Sequence, residues 1–269
     1  MVKHALLFTL TLLFITFAGS IGDSQSVFAE SEADYYRLDS IMTPKAQTES
    51  RAANWKPAPG DLVLEVSGIA VLDDHRIAVA IRKGEIWIMD GVYEEPPKNV
   101  TYKRFATALH EPLGLIYKDG AFYTVQRSEL TRIRDTDGDD VADEYLTVAK
   151  GWGVTGHYHE YAYGPVLDHD GNMWLTLNIG LGLKKEHKSR AVTDPTLGFS
   201  QGRWRGWGMK CTPEGELIPV CAGMRSPAGL GVNRAGDVFY TDQQGNWVAT
   251  NSLHHMREGA FFHHVEALA

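Results

Sequence analysis

The segment GMRSPAGLGVNRAGDVFYTDQQGNW, residues 223–247, decides how the chain is read. It opens on a cation, Arg225, beside a Ser226-Pro227 turn. It runs through a short apolar strand at 230–232, turns at Ala235-Gly236 and returns as a second strand at 237–241. A polar, Gly-containing loop at 242–246 follows. Strand side chains alternate between two faces, and Gly in the connecting turn supplies the backbone freedom that a tight hairpin needs. A cation before the first strand and a carboxylate after the second fall at one edge of the pair, where a binding site can form.

The same strand-turn-strand phrase occurs around Asp73-Asp74-His75, Asp119-Gly120 and Asp170-Gly171. Each phrase belongs to a set of four runs rich in Val, Ile, Phe, Tyr and Trp, the all-β texture. The first set is 62–72, 76–82, 85–90 and 102–107, and the second is 113–117, 121–126, 130–134 and 144–149. The third is 164–167, 172–178, 204–211 and 216–221, and the fourth is 228–232, 237–241, 248–252 and 260–265. A four-strand unit returning every ~40–65 residues is the arithmetic of a β-propeller, whereas a sandwich has no need to repeat one phrase four times. The expected fold is therefore an all-β propeller with about four four-stranded blades, forming part of a larger ring.

Outside the repeats the texture changes. Residues 1–29 carry Lys3 and His4, then an apolar run at 5–18 that suits a signal peptide better than a spanning helix. Cleavage is expected after Ala29 or within Ala18-Gly19-Ser20, which makes the body exported, periplasmic or at the cell surface. Residues 30–60 read as a leader or strap that closes with Pro57-Ala58-Pro59-Gly60, and 61–269 as the propeller. The 269 residues are 43% hydrophobic with a net charge of -8. That balance excludes a general nucleic-acid binder, which needs a basic face. Cys211 and Cys221 are the two cysteines. A turn at Glu214-Gly215 pairs Cys211 with Ile218, so a disulfide needs a bulge or another register, and two buried thiols are the alternative.

In an up-and-down blade the strand 2–3 loops and the blade-to-blade connections share one face. That face collects Arg82-Lys83-Gly84, His110-Glu111, Arg127-Ser128, 151–163, 178–203, Arg225-Ser226 and 242–246. Gly156-His157-Tyr158-His159-Glu160-Tyr161 offers a neutral imidazole beside a carboxylate, a pattern suited to a general base, a metal ligand or a hydrogen-bonded structural histidine. Arg225 offers a guanidinium fork for an anion or a tie between blades. The 242–246 loop offers oxygens to a hard cation, with Gly245 at its turn. On the opposite face Asp135, Asp137, Asp139 and Asp143 alternate as in an EF-hand-like calcium loop. Asp140 stands there in place of Gly and Leu146 in place of the bidentate Glu, leaving Glu144 as a substitute. Calcium there would be structural.

Residues 223–230, the hairpin after them and Asp242-Gln243-Gln244-Gly245-Asn246 resemble the soluble glucose/sorbosone dehydrogenase family, six-bladed propellers that bind pyrroloquinoline quinone (PQQ). The span 62–265 is also similar to the propeller of large membrane-bound dehydrogenases of planctomycete-type bacteria, which often carry helical repeats and a haem domain further on. The resemblance implies a sugar or polyol dehydrogenase with PQQ and calcium as cofactors and a haem or cytochrome as electron acceptor. It implies Arg225 as the quinone clamp, with Asp242, Gln243, Gly245 and Asn246 around the cofactor and its calcium. It implies His159, with His157 behind it, as the base. The sequence departs from the family in three places. Asn246 stands where the family has Pro, Ser226 where it has Asn, and strict spacing of the base falls on Glu160 rather than His159. A non-catalytic binding or scaffold propeller is the other reading that these departures leave open.

Overall fold

A computed structural model describes residues 33, 35–39, 41, 65–154, 159–180, 203–243, 250–264 and 267. The signal peptide, most of the leader, His157, Gly245 and Asn246 lie outside the described residues. The chain divides into two compact units, Met1–Leu38 and Asp39–Ala269. In the first, residues 33 and 35–38 are exposed. No helix among the described residues is long and apolar enough to cross a membrane.

The second unit is four antiparallel sheets in chain order, a β-propeller segment. Blade one contains β1 (Val66–Val71), β2 (Ile77–Ile81), β3 (Glu85–Asp90) and β4 (Thr101–Ala106). Blade two contains β5 (Ile116–Lys118), β6 (Ala121–Val125), β7 (Glu129–Arg134) and β8 (Glu144–Lys150). Blade three contains β9 (Ala162–Leu167), β10 (Met173–Leu177), β11 (Trp207–Cys211) and β12 (Leu217–Ala222). Blade four contains β13 (Leu230–Val232), β14 (Val238–Asp242) and β15 (Ser252–His255).

Middle strands are apolar on both sides because each blade is packed between neighbours. In β2 and β3 the alternation separates two clusters. Ala78, Ala80, Ile86 and Ile88 join Phe105, Leu115 and Phe122 between blades one and two. Val79, Ile81, Trp87 and Met89 face the other way, where Ile41 of the leader packs on them. Met173, Leu175, Leu177 and Met209 pack with Val125 and Leu130 between blades two and three. Fully burying a side chain of this size stabilises by about 1.5–3 kcal/mol.

The inner strands neighbour one another in the order β1, β5, β9, β13. Gly114 makes the close approach possible. Its φ is +129°, and a Cβ there would stand 2.4 Å from the carbonyl oxygen of Gly164.

Two details of the fourth unit differ from expectation. Its third strand is Ser252–His255, where 248–252 is expected. Residues 260–265 do not supply a fourth strand to this blade among the described residues. Phe261 instead makes a parallel bridge to Ala222 at the end of β12. The ladder there runs Gly259 N to Val220 O at 2.9 Å, Ala222 N to Ala260 O at 3.0 Å and Phe262 N to Ala222 O at 2.8 Å. Pairing with blade three packs Ala260 and Phe262 onto the core of Val220, Met224, Val238 and Tyr240, which is why the segment goes there. The cysteine question resolves as two buried free thiols. Cys211 pairs with Leu217, and Cys221 lies opposite Gly208 across a bulge. Burial pushes the Cys211 thiol up to about 11 and the Cys221 thiol up to about 12.

Candidate functional site

The contacts agree with the sorting of loops. On one face Arg76 binds both Asp74 and, at 2.7 Å, Asp140 of the β7–β8 turn. On the other face Arg82 Nε donates to Glu65 at 2.9 Å, Arg82 Nη1 donates to Glu111 at 3.2 Å, and Glu111 also accepts from Arg127 Nε. The Arg127 guanidinium lies 5.2 Å from the centre of the Tyr161 ring. This chain of charges runs from blade one to blade three and ends beside a cavity.

The cavity has a volume of about 450 Å³ and is lined by His159, Tyr161, Tyr163, Asn178, Arg225, Ser226 and Gln243, with Ile179 and Ala228 as its apolar members. His159, Arg225 and Gln243, three of the residues singled out by sequence, therefore meet in one place. They arrive from the blade two-to-three connection, the blade three-to-four connection and the end of β14. His159 is exposed toward it, while Glu160, where strict spacing would place the base, is fully buried. Glu160 lies close enough to Arg205 for its charge to favour that guanidinium.

Asp242 has a different place from the one expected. It is 5% exposed, and its carboxylate is taken up by main-chain donors. Oδ2 accepts from Arg225 N at 2.9 Å, and Oδ1 accepts from Ser226 N at 2.7 Å and Gln243 N at 2.8 Å. It is the latch that holds the Arg225 turn against the end of β14. Arg225 Nη1 then donates to Gln243 Oε1.

Asn178, 3% exposed, directly follows β10 and donates to His159 O at 2.5 Å and to Ser226 Oγ at 2.9 Å. One amide thus ties the histidine segment to the arginine segment. Tyr161, just before β9, and Tyr163, within it, stand two residues apart and so share a face, their ring centres 6.1 Å apart. Burial pushes the Tyr163 hydroxyl up to about 12, which keeps it a neutral phenol. The tyrosines and Asn178 were absent from the sequence-derived set. The parity of YAYGP, residues 161–165, after the histidines was the signal for the two tyrosines.

On the opposite face Asp135, Asp137 and Asp143 place one oxygen each within 4.8 Å of one another. Asp139 is outside that group, its Oδ1 accepting from Val141 N at 2.8 Å. Asp135 also accepts from Gly138 N and Asp140 N, both at 2.7 Å. Repulsion by Asp139 and Asp143 raises the Asp137 carboxyl. Glu144, the substitute ligand, is turned to Arg132 and Arg134 instead.

Fold and site together define a class: consecutive blades of a β-propeller with a polar and aromatic cavity among the blade-to-blade connections. The family described as a domain of unknown function, DUF7133, matches residues 89–266, and the chain belongs to it. None of the curated proteins matches it significantly. Among solved structures the chain is similar to an oxidoreductase described as a glucose dehydrogenase from Thermus thermophilus. That match has 16% identity and a TM-score of 0.56, over 74% of this chain and 64% of that one. It is similar to the PQQ-bound aldose sugar dehydrogenase of Streptomyces coelicolor, with 15% identity and a TM-score of 0.54, over 75% and 62%. A Trichoderma reesei carbohydrate-active enzyme of family AA12 matches at 10% identity with a TM-score of 0.53, over 73% and 53%. The likeness is one of fold, and this chain spans less than two thirds of each of these structures.

Proposed function

We propose that this propeller segment is the cofactor- and substrate-binding part of an exported quinoprotein dehydrogenase acting on a sugar or polyol. The observation that carries the reading is the meeting of His159, Arg225 and Gln243 with two tyrosines in one cavity of about 450 Å³. That is a proton acceptor, an anion partner and aromatic surface within a volume suited to a small ligand. The fold likeness to a PQQ-bound aldose sugar dehydrogenase supports the same reading.

PQQ is a flat, anionic quinone, and the lining fits one side of it. Arg225 offers a planar fork for a carboxylate or quinone oxygen, and Tyr161 and Tyr163 offer ring faces. The quinone supplies the two-electron acceptor when bound. The chain's own residues do the rest. His159 takes the proton of the hydroxyl group on the carbon being oxidised. The Asp242 latch holds the Arg225 turn in place, and Asn178 fixes the distance between that turn and His159. Tyr163, protonated at working pH, binds by hydrogen bonding rather than acting as a base.

Calcium is assigned two places in this reading. One, implied by the resemblance alone, is the 242–246 loop, of which residues 245–246 lie outside the described residues. The other is structural, at Asp135, Asp137 and Asp143. A haem or cytochrome partner would receive the electrons. The test is dye-linked turnover of the full chain with PQQ, calcium and a panel of aldoses and polyols. Turnover is expected, with His159→Ala lowering kcat by roughly 10²–10⁴-fold while the fold is retained. No turnover with any of them would sink the proposal, and glycan binding without turnover would favour the binding propeller.

A further inference from the structure

The segment carrying His159 joins β8 to β9, and both its ends are held by one buried side chain. Arg205, 3% exposed, donates from Nε to Gly153 O at 2.7 Å and from Nη1 to Tyr161 O at 2.8 Å. Those carbonyls lie on either side of His159, eight residues apart along the chain. The neighbouring bonds tighten the same ends. Gly153 N donates to Arg203 O at 2.9 Å, Tyr161 O also accepts from Asn178 N at 3.0 Å, and Tyr161 N donates to His159 O at 2.9 Å.

Burying a guanidinium costs several kcal/mol unless charge and hydrogen bonds offset it. The fully buried Glu160, next in sequence to His159, supplies the opposite charge. Burial, with the like charge of Arg127, lowers Arg205 to about 10, so it is still a cation at neutral pH. The fork is what the site uses, since two carbonyls so placed need a planar donor pair, which an ammonium lacks.

We propose that Arg205 is the positioning residue of the site: it ties Gly153 to Tyr161 and so fixes where His159 stands on the cavity wall. The inference rests on the reading of His159 as the base, and its test is separable from that reading. The full chain is labelled with ¹³Cε1-histidine, and the His159 signal is assigned by its loss in His159→Gln. In Arg205→Lys the His159 signal is expected to shift or broaden and its titration midpoint to move, while the other histidines stay put. Arg203→Ala is the control. Its guanidinium stacks on Trp204, 5.2 Å from the ring centre, and its loss should leave His159 unmoved.

An unmoved His159 signal in folded Arg205→Lys, or an equal movement in Arg203→Ala, overturns the proposal. No quinone or substrate enters this measurement, so a failure of the dehydrogenase reading leaves it intact. With turnover in hand, Arg205→Lys should lower kcat by roughly 100-fold with KM changed less than about twofold, the pattern of a misplaced base. If Arg205→Lys does not fold, hydrogen exchange on the unaltered chain decides. The Arg205 Nε–H proton, which donates to Gly153 O, should be protected as long as the amides of β10, and its exchange at the unprotected rate overturns the proposal.

Discussion

Replacing Asp242 by Ala should both destabilise the protein and loosen the cavity, because one carboxylate does both jobs. The side chain is 5% exposed and accepts three main-chain N–H bonds. The bond from Gln243 is to the adjacent residue and holds little together. The other two come from Arg225 and Ser226, seventeen and sixteen positions earlier, and fasten the turn between blades three and four. A hydrogen bond to a charged acceptor contributes roughly 1.5–3 kcal/mol, giving about 3–6 kcal/mol for the two. Arg225 and Ser226 are half-buried, so water takes over part of the lost bonding and the lower end, about 3 kcal/mol, is expected. For a unit of this size that is a fall in Tm of roughly 6–12 °C. Asp242→Asn keeps one acceptor oxygen and should cost about half as much. Arg225→Ala leaves the main-chain bonds intact and should change stability by under ~0.5 kcal/mol, as surface changes do. Urea unfolding of the four proteins at neutral pH gives the comparison. A cost below about 1 kcal/mol for Asp242→Ala, or equal costs for Asp242→Ala and Arg225→Ala, would refute the latch.

Three further outcomes are expected. Gly114→Ala forces a Cβ to 2.4 Å from Gly164 O at a φ of +129°, so it should cost more than about 2 kcal/mol or prevent folding, read by thermal unfolding. Burial raises the Asp168 carboxyl, but bonds from Trp174 Nε1, Asn172 and main-chain N–H groups outweigh it and hold the group below its usual range. A depressed carboxyl contributes stability above its unfolded pKa of about 3.9 and loses it as pH falls through the folded value. The stability gap between the natural chain and Asp168→Asn should thus be widest near neutrality and close as pH drops below about 4. With no quinone present, calcium at 100 times its Kd for the 135–143 turn should raise stability by about 2.7 kcal/mol in thermal unfolding, and the joint Asp137→Asn, Asp143→Asn variant should lose that response.

Much of the fold is legible in the chain because the blades are built from local hairpins. The turns at 73–75, 119–120, 170–171 and 235–236 each carry the residues that a tight return needs, and strands follow on both sides. The last segment misleads for a physical reason. Ala260 and Phe262 have the composition of an outer strand, yet they pair beside β12 and pack on the core of Val220, Met224, Val238 and Tyr240. The site is legible where residue type decides the chemistry, as with His159, Arg225 and Gln243. It is hidden where burial decides. Asp242 and Glu160 look alike as loop carboxylates, but one is consumed by main-chain donors and the other sits beside Arg205. Arg205 itself, in a stretch of RWRGW, has no local signal, because both its partners are carbonyls more than 40 positions earlier.

The most direct measurement is a titration of PQQ into the full chain, with calcium present, followed by the quinone absorbance. The account predicts saturable binding at one equivalent, weakened roughly tenfold or more in Arg225→Ala, a loss of at least about 1.4 kcal/mol. The absence of saturable binding, or binding unchanged by Arg225→Ala, would contradict it.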